Sequence, residues 1–235
     1  MIAIFPRLAA CAAAKDIEKL AVMVRTQYGF TSPALDAAAL LSAIGVENES
    51  LQLDCAGNLL VRDEKGQFSV IALVPAGIPN ATRQFRLAHL LGHFLLDVQG
   101  GIASGTYKGH GFREVTCPYA RYVSGTSATA VGGASVDEVA AEDLADEFAA
   151  AVLLPGSLVE AAFAKGASVQ ELARFFNCAP ELVARRLARL GLVKQDGESS
   201  VNHAGNGKAK SAGGMARIRE IASRLERSTG SATRK

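Results

Sequence analysis

Hydrophobic residues recur at helical spacing in the first part of the chain. In residues 15–28 they fall on one face, which predicts an amphipathic helix that ends at Gly29. Residues 31–46 predict a second helix, with Pro33 near its first turn and Gly45 at its close.

The pattern then changes to short apolar runs. The segments "LQLDC", "NLLVR" and "FSVIALV" begin at residues 51, 58 and 68 and predict three short strands. The turn-rich segment "DEKGQ" separates the last two of them. Helices followed by strands and then by further helices are typical of an α+β fold.

The helical period returns over residues 83–97 and again over residues 136–155. Between them, residues 98–135 are rich in Gly, Ser, Thr and Ala. They predict a long loop, and long loops in compact domains are usually functional lids or disordered segments.

Residues 168–191 predict a helix–turn–helix unit. Ser168 and Glu171 have the spacing of a capping box, Pro180 suits the first turn of the second helix, and Gly191 follows its end. Beyond this unit, residues 193–214 predict a flexible linker, and residues 215–235 predict a short basic helix and tail.

Composition and charge exclude some classes of protein. The formal net charge is only +2, although residues 194–235 hold nine Lys or Arg and four Asp or Glu, so the basic character is confined to the tail. The four cysteines contain no CxxC pair, and no run reaches the ~18 apolar residues of a membrane span. These features predict a cytoplasmic protein without a disulfide framework.

The segment "RQFRLAHLLGHFLLD", residues 83–97, carries the candidate chemistry. His89 and His93 are four residues apart, so a helix presents both rings on one face, where they can bind one metal ion. Taken alone this spacing is a weak signal, because two histidines on an apolar helix are often simply buried there.

A wider pattern resembles the ImmA/IrrE family of metallopeptidases. Its first motif, RFxxAHELGHxLL, is matched at Phe85, Ala88, His89, Leu91, Gly92, His93, Leu95 and Leu96. Its second motif, ExxA[ND]xFAxxLLMP, is matched at Glu142, Ala145, Asp146, Phe148 and Ala149, with "VLLP" ending at Pro155. The resemblance covers about residues 33–192, after an N-terminal helical extension of residues 1–32.

The resemblance implies a metal site between two helices. Its ligands would be His89, His93 and Glu142, a set typical of catalytic zinc sites that also suits other divalent ions. Asp146, one helical turn after Glu142, would orient a histidine ring, or else lie in solvent. The implied fold is α+β, with a small, mostly antiparallel sheet packed with helices.

Leu90 departs from the family, which has glutamate as its general base at this position. Leucine can neither accept nor donate a proton, and general acid–base catalysis is worth ~10²–10⁴-fold. Glu114, Asp143 and Glu147 are the nearest acids that could substitute, and the loop offers four further polar candidates: Tyr107, His110, Tyr119 and Tyr122.

Three functions stay open at this point. The first is a zinc-binding, peptidase-like regulator of a helix–turn–helix repressor, in a stress response or mobile element, that cleaves poorly or not at all. The second is an active metalloendopeptidase with a substitute base. The third is a metal-free module that binds protein or DNA, for which Arg185, Arg186 and Arg189 of the helix–turn–helix unit would approach phosphates. The unit could equally pack on the rest of the domain.

Overall fold

A computed structural model describes residues 2–3, 5–53, 55–65, 67–106, 111–117 and 136–193. These described residues belong to two compact units, one within residues 1–30 and 35–153 and the other within residues 31–34 and 154–193. The elements of the first unit are β1 (Ile2–Ala3), α1 (Pro6–Ala13), α2 (Ile17–Gln27), α3 (Ala37–Ile44), β2 (Glu47–Leu51), β3 (Gly57–Glu64), β4 (Gln67–Pro75), α4 (Asn80–His93), a π-helical segment (Phe94–Gln99), α5 (Gly100–Ala103), β5 (Gly111–Cys117) and α6 (Val136–Leu153). Those of the second are α7 (Gly156–Phe163), α8 (Val169–Phe176) and α9 (Pro180–Arg189).

The strands form one mixed sheet. Its main path runs β1–β4–β3–β5 with antiparallel neighbours, and β2 pairs in parallel with β4. Alternate residues of β4 are buried, as period-two patterning requires: Phe68, Val70, Ala72 and Val74. The α+β class predicted from the sequence is therefore confirmed.

The first predicted strand is displaced. We expected it at residues 51–55, whereas β2 spans Glu47–Leu51 and is mostly exposed. Its pairing with β4, in the register Glu47↔Ile71 to Leu51↔Pro75, depends on backbone hydrogen bonds. A strand held by its backbone needs no apolar side chains, so the hydrophobic pattern did not reveal it.

Two other elements differ from prediction. Helix α3 begins after Asp36 instead of near Pro33, because the Asp36 carboxylate accepts hydrogen bonds from the backbone N–H groups of Ala38 (3.0 Å) and Ala39 (3.2 Å). Strand β5 lies inside the segment that we expected to be a long loop, where it adds to the edge of β3 with Gly57 opposite Cys117.

The N-terminal helices pack within the first unit. Helix α1 has Pro6 at its start, and α2 is capped by Asp16, whose carboxylate accepts from Lys19 N–H at 3.3 Å. Helix α1 crosses α5 closely, since a Cβ at Gly100 would lie 3.1 Å from the Ala12 Cβ. Arg25 of α2 donates from Nη1 to the Val152 carbonyl at 2.8 Å, satisfying a carbonyl near the end of α6.

Helix α4 is the central helix of this unit. Every residue from Gln84 to His93 is buried, which is typical of a helix surrounded by protein on all sides. The π-helical segment continues it, and Phe94 meets Phe68 of β4 edge-on with ring centroids 5.8 Å apart. Among the described residues, no helix combines the length and hydropathy that crossing a membrane requires.

The second unit contains the predicted helix pair. Ser168 and Glu171 form the capping box at the start of α8, and Asn177 adopts a left-handed conformation (φ 54°) at its end. Leu190 is half-buried, and the other large apolar residues along one face of the pair are buried: Leu172, Phe176, Leu182, Val183 and Leu187. The predicted linker and basic tail, residues 194–235, lie outside the described residues.

Candidate metal centre

The close packing of α4 against α6 creates the site. A Cβ at Gly92 would lie 3.1 Å from the Ala145 Cα and 3.2 Å from the Ala145 carbonyl oxygen, so only glycine allows the two backbones to approach this closely. On α6, the face turned inward carries Ala145, Phe148, Ala149 and Val152, all buried. Glu142 precedes this apolar stripe by one turn, which places its carboxylate beside α4.

Three side chains converge between these helices. His93 Nε2 lies 3.0 Å from His89 Nε2 and 3.1 Å from Glu142 Oε1. His89 Nε2 lies 3.4 Å from Glu142 Oε2. The side chains of the two histidines are only 1–2% exposed and that of Glu142 is 13% exposed. Within the described part of the chain, these three residues form a group that could hold a metal ion.

The spacing of these atoms fits tetrahedral coordination. Zinc binds nitrogen at ~2.0–2.1 Å, so two ligand atoms of a regular tetrahedron are about 3.3 Å apart. The observed separations of 3.0, 3.1 and 3.4 Å lie within a few tenths of an ångström of this distance. A metal ion held by these three ligands from two helices would have a fourth position open, as catalytic zinc sites do and structural ones do not.

A carboxylate holds the outer nitrogen of each histidine ring. His89 Nδ1 lies 2.8 Å from Asp146 Oδ1, and His93 Nδ1 lies 2.7 Å from Asp97 Oδ2. When each neutral ring carries its hydrogen on Nδ1 and donates it to the carboxylate, both Nε2 atoms present lone pairs to the centre of the cluster. Asp146 is thus found where we expected an orienting carboxylate.

Asp97 is the residue that sequence reasoning missed. It lies four residues after His93, the same spacing that separates His89 from His93. Residues at this spacing are neighbours on a helix, so the sequence did indicate a contact between Asp97 and His93. The motif RFxxAHELGHxLL ends at Leu96 and does not include Asp97.

The electrostatics of the cluster favour a cation. Burial alone raises the pKa of the Glu142 carboxyl, but hydrogen bonds from His89 and His93, together with their positive charges, outweigh burial and hold this pKa well below its ordinary value. Glu142 is therefore held as a carboxylate while these two rings are protonated. When the two rings are neutral, three electron-rich atoms face one another in a buried space, and a divalent ion offsets their mutual repulsion.

Leu90 lies beside the histidines but makes no polar interaction. It is 1% exposed, and its side chain packs against β3, where a Cβ at Gly57 would lie 3.3 Å from Leu90 Cδ1. The position that holds the general base in the resembling family is thus filled by a buried aliphatic side chain.

Two of the acids proposed as substitutes, both on α6, are not part of the described cluster. Asp143 is exposed and Glu147 is half-buried on α6, and neither belongs to the group of converging ligand atoms. Glu114 lies in β5, where its backbone pairs with Leu60. The remaining candidates from the predicted loop lie outside the described residues: Tyr107, His110, Tyr119 and Tyr122.

A cavity adjoins the cluster within the same unit. Its volume is about 570 Å³, within the ~300–1,000 Å³ range of ligand-binding sites. Small side chains from three helices line much of it, including Ala12, Gly101 and Ala141. Asp97, the partner of His93, also contributes to its wall.

The helix–turn–helix arginines have different environments. Arg185 and Arg189 are exposed on α9, whereas Arg186 is 2% exposed and donates from Nε to the Leu154 carbonyl at 3.0 Å. Arg186 is therefore not available to nucleic acid, so the alternative in which it approaches phosphate is wrong for this residue. Its guanidinium satisfies a backbone carbonyl that lies outside α7–α9.

No protein-family model matches the chain, and no curated protein matches it significantly. The site itself consists of two imidazoles and a carboxylate with the spacing of metal ligands, a carboxylate behind each imidazole, and leucine at position 90.

Proposed function

We propose that this protein is a zinc-binding, peptidase-like regulator of the ImmA/IrrE type that binds a helix–turn–helix transcriptional repressor without efficiently cleaving it. The observation that carries the proposal is the convergence of His89, His93 and Glu142 beside a buried Leu90. The ligand set supports metal binding, while the leucine deprives the site of a general base.

His89, His93 and Glu142 would hold the ion. A bound zinc supplies Lewis acidity, polarising a carbonyl oxygen placed at its open position. Asp146 and Asp97 accept hydrogen bonds from Nδ1 of the two imidazoles and so orient their Nε2 atoms toward the ion. We favour zinc over other divalent ions because two imidazoles and a carboxylate are typical zinc ligands and because their atoms have tetrahedral spacing.

Leu90 makes the site suited to binding rather than turnover. Hydrolysis requires a group that takes a proton from water and returns one to the leaving amine. Leu90 does neither, and its burial against Gly57 keeps water from that side of the cluster. A peptide carbonyl can still be bound at such a site, so retained metal and lost proteolysis are compatible.

The repressor partner follows from the resemblance. Members of this family generally cleave, or relieve repression by, a helix–turn–helix regulator in stress responses or mobile elements. A partner of this kind acts in the cytoplasm, the location that cysteine usage predicts for this chain. The exposed Arg185 and Arg189 could add DNA contacts, but the buried apolar face of α8 and α9 favours a structural role for this helix pair.

Affinity capture with the full chain tests the proposal. Tagged wild-type protein, expressed in its natural host and loaded with zinc, should retain an intact helix–turn–helix regulator, identified by mass spectrometry. His93→Ala, which removes a ligand, should lose this regulator, whereas Glu160→Ala on the exposed surface of α7 should retain it. Zinc-dependent fragments of the regulator that disappear with His93→Ala would instead identify an active peptidase and overturn the proposal.

A further inference from the structure

Asp97 forms the shortest polar contact of the cluster that the structure records. Its Oδ2 lies 2.7 Å from His93 Nδ1, compared with 2.8 Å between Asp146 and His89. The Asp97 side chain is 16% exposed and the His93 ring only 2% exposed. A short hydrogen bond to a carboxylate in a partly buried setting is stronger than one between neutral groups.

The backbone changes its geometry at this point. Helix α4 ends at His93, and residues Phe94–Gln99 form a π-helical segment before α5 continues the chain. Such widened turns inside helices are uncommon and occur frequently at functional sites. Asp97 lies in the middle of this segment, so the wider turn sets the path of the backbone that carries its carboxylate to His93.

We propose that Asp97 is a positioning residue, which fixes His93 as the tautomer that carries hydrogen on Nδ1 and thereby aims the Nε2 lone pair into the metal centre. This inference rests on the proposed metal-binding function. It deepens that function, because it gives the second histidine the same kind of support that Asp146 gives the first. Without Asp97, the ring could place its hydrogen on Nε2, facing Glu142 at 3.1 Å, and would then offer no lone pair there.

The wall of the cavity supplies a matched control. Asp97 and Ser104 both line it, but Ser104 bonds to Gly101 O at 3.2 Å and to Thr106 Oγ1 at 2.8 Å. Ser104→Ala therefore alters the same cavity without touching His93. If substitution of Asp97 has an effect and Ser104→Ala does not, that effect cannot result from a change in the cavity alone.

The tautomer can be measured without metal. Long-range ¹H–¹⁵N NMR of histidine-labelled, metal-free protein at alkaline pH, where the rings are neutral, reports which ring nitrogen bears hydrogen. We expect Nδ1–H at His93 in the wild type and in Asp97→Asn, whose amide oxygen still accepts, and a shift toward Nε2–H in Asp97→Ala. An unchanged tautomer in Asp97→Ala would overturn the inference.

Zinc affinity provides the second readout. Loss of a carboxylate behind a ligating histidine typically costs ~10–100-fold in metal affinity. In competition titrations with a chromophoric chelator, Asp97→Ala should show a loss of this size, Asp97→Asn a smaller one, and Ser104→Ala none. Equal affinities for wild type and Asp97→Ala would contradict the positioning role. Failure of the wild type to bind zinc would refute the proposed function, while the NMR result would still decide the role of Asp97.

Discussion

Leu90 of α4 packs directly on Gly57 of β3. A Cβ at position 57 would lie 3.3 Å from Leu90 Cδ1 and 3.4 Å from the Leu73 carbonyl oxygen. The leucine that replaces the expected glutamate therefore has a specific packing partner, which is a residue without a side chain. This pair joins the candidate metal centre to the sheet.

The contact predicts energetic coupling between positions 57 and 90. Gly57→Ala should destabilise the protein by ~1–3 kcal/mol, because the added methyl group crowds a buried leucine. In a Leu90→Ala background the space is available and the penalty should shrink. A double-mutant cycle measured by urea unfolding should give a coupling free energy of ~0.5–3 kcal/mol, whereas strictly additive effects would contradict the packing.

Under the proposed function, an acid introduced at position 90 should give the protein proteolytic activity. In zinc-loaded protein, Leu90→Glu should raise the rate of cleavage of unfolded casein by ~10²–10⁴-fold over the wild type, since it supplies the missing proton transfer. The same substitution should lower stability in metal-free protein, because it buries a charge beside Gly57.

Leu90→Gln is the matched control for this prediction. It has nearly the same shape as Leu90→Glu but cannot act as a base, so it should remain as inactive as the wild type. Equal gains in both variants would mean that a polar side chain, and not a proton acceptor, limits activity. A wild type as active as Leu90→Glu would mean that another residue serves as base.

Helix propensity and packing predict opposite changes in unfolding free energy for Gly92→Ala. Replacing a helical glycine by alanine ordinarily stabilises by up to ~1 kcal/mol. Here the new Cβ would meet the Ala145 backbone at 3.1 Å and could not be accommodated by rotating a side chain. Gly92→Ala should therefore lower the unfolding free energy by ~1–3 kcal/mol and weaken zinc binding, since it separates the two helices that carry the ligands. A stabilised variant with unchanged zinc affinity would contradict the close crossing.

Substitutions of the neighbouring residues Arg185 and Arg186 should differ in their effect on stability. Arg186→Met should destabilise the protein by ~1–3 kcal/mol, because it leaves the Leu154 carbonyl without its buried donor. Arg185→Met, on the exposed side of α9, should change stability by less than ~0.5 kcal/mol. Thermal unfolding of the two variants tests this, and equal effects would contradict the buried placement of Arg186.

The sequence predicted those parts of the fold that depend on local pattern. The spacing of His89 and His93 placed them on one helical face, whereas only the resemblance to a known family assigned Glu142 and Asp146 to the same site. The capping box at Ser168 is present as its pattern indicated. The shared face of the two histidines and the capping box depend on residues within one or two helical turns, so local spacing is sufficient to predict them. The contact of Asp146 with His89 spans 57 residues and could not be predicted in this way.

What the sequence did not predict depends on distant contacts. β2 is polar and exposed and exists because its backbone pairs with β4. β5 lies in a Gly-, Ser- and Thr-rich segment and is held by its pairing with β3. The packing of Leu90 on Gly57 joins two elements that no local pattern relates. In each case the stabilising partner is in another part of the chain.

Metal content tests the central claim most directly. Elemental mass spectrometry of the purified protein should find close to one zinc per chain, and this value should fall in both His89→Ala and Glu142→Ala while Glu160→Ala keeps it. The two ligand variants remove groups from different helices, so loss in both would show that α4 and α6 share one ion. A wild-type protein that binds no divalent metal, even after incubation with excess zinc, would contradict the account.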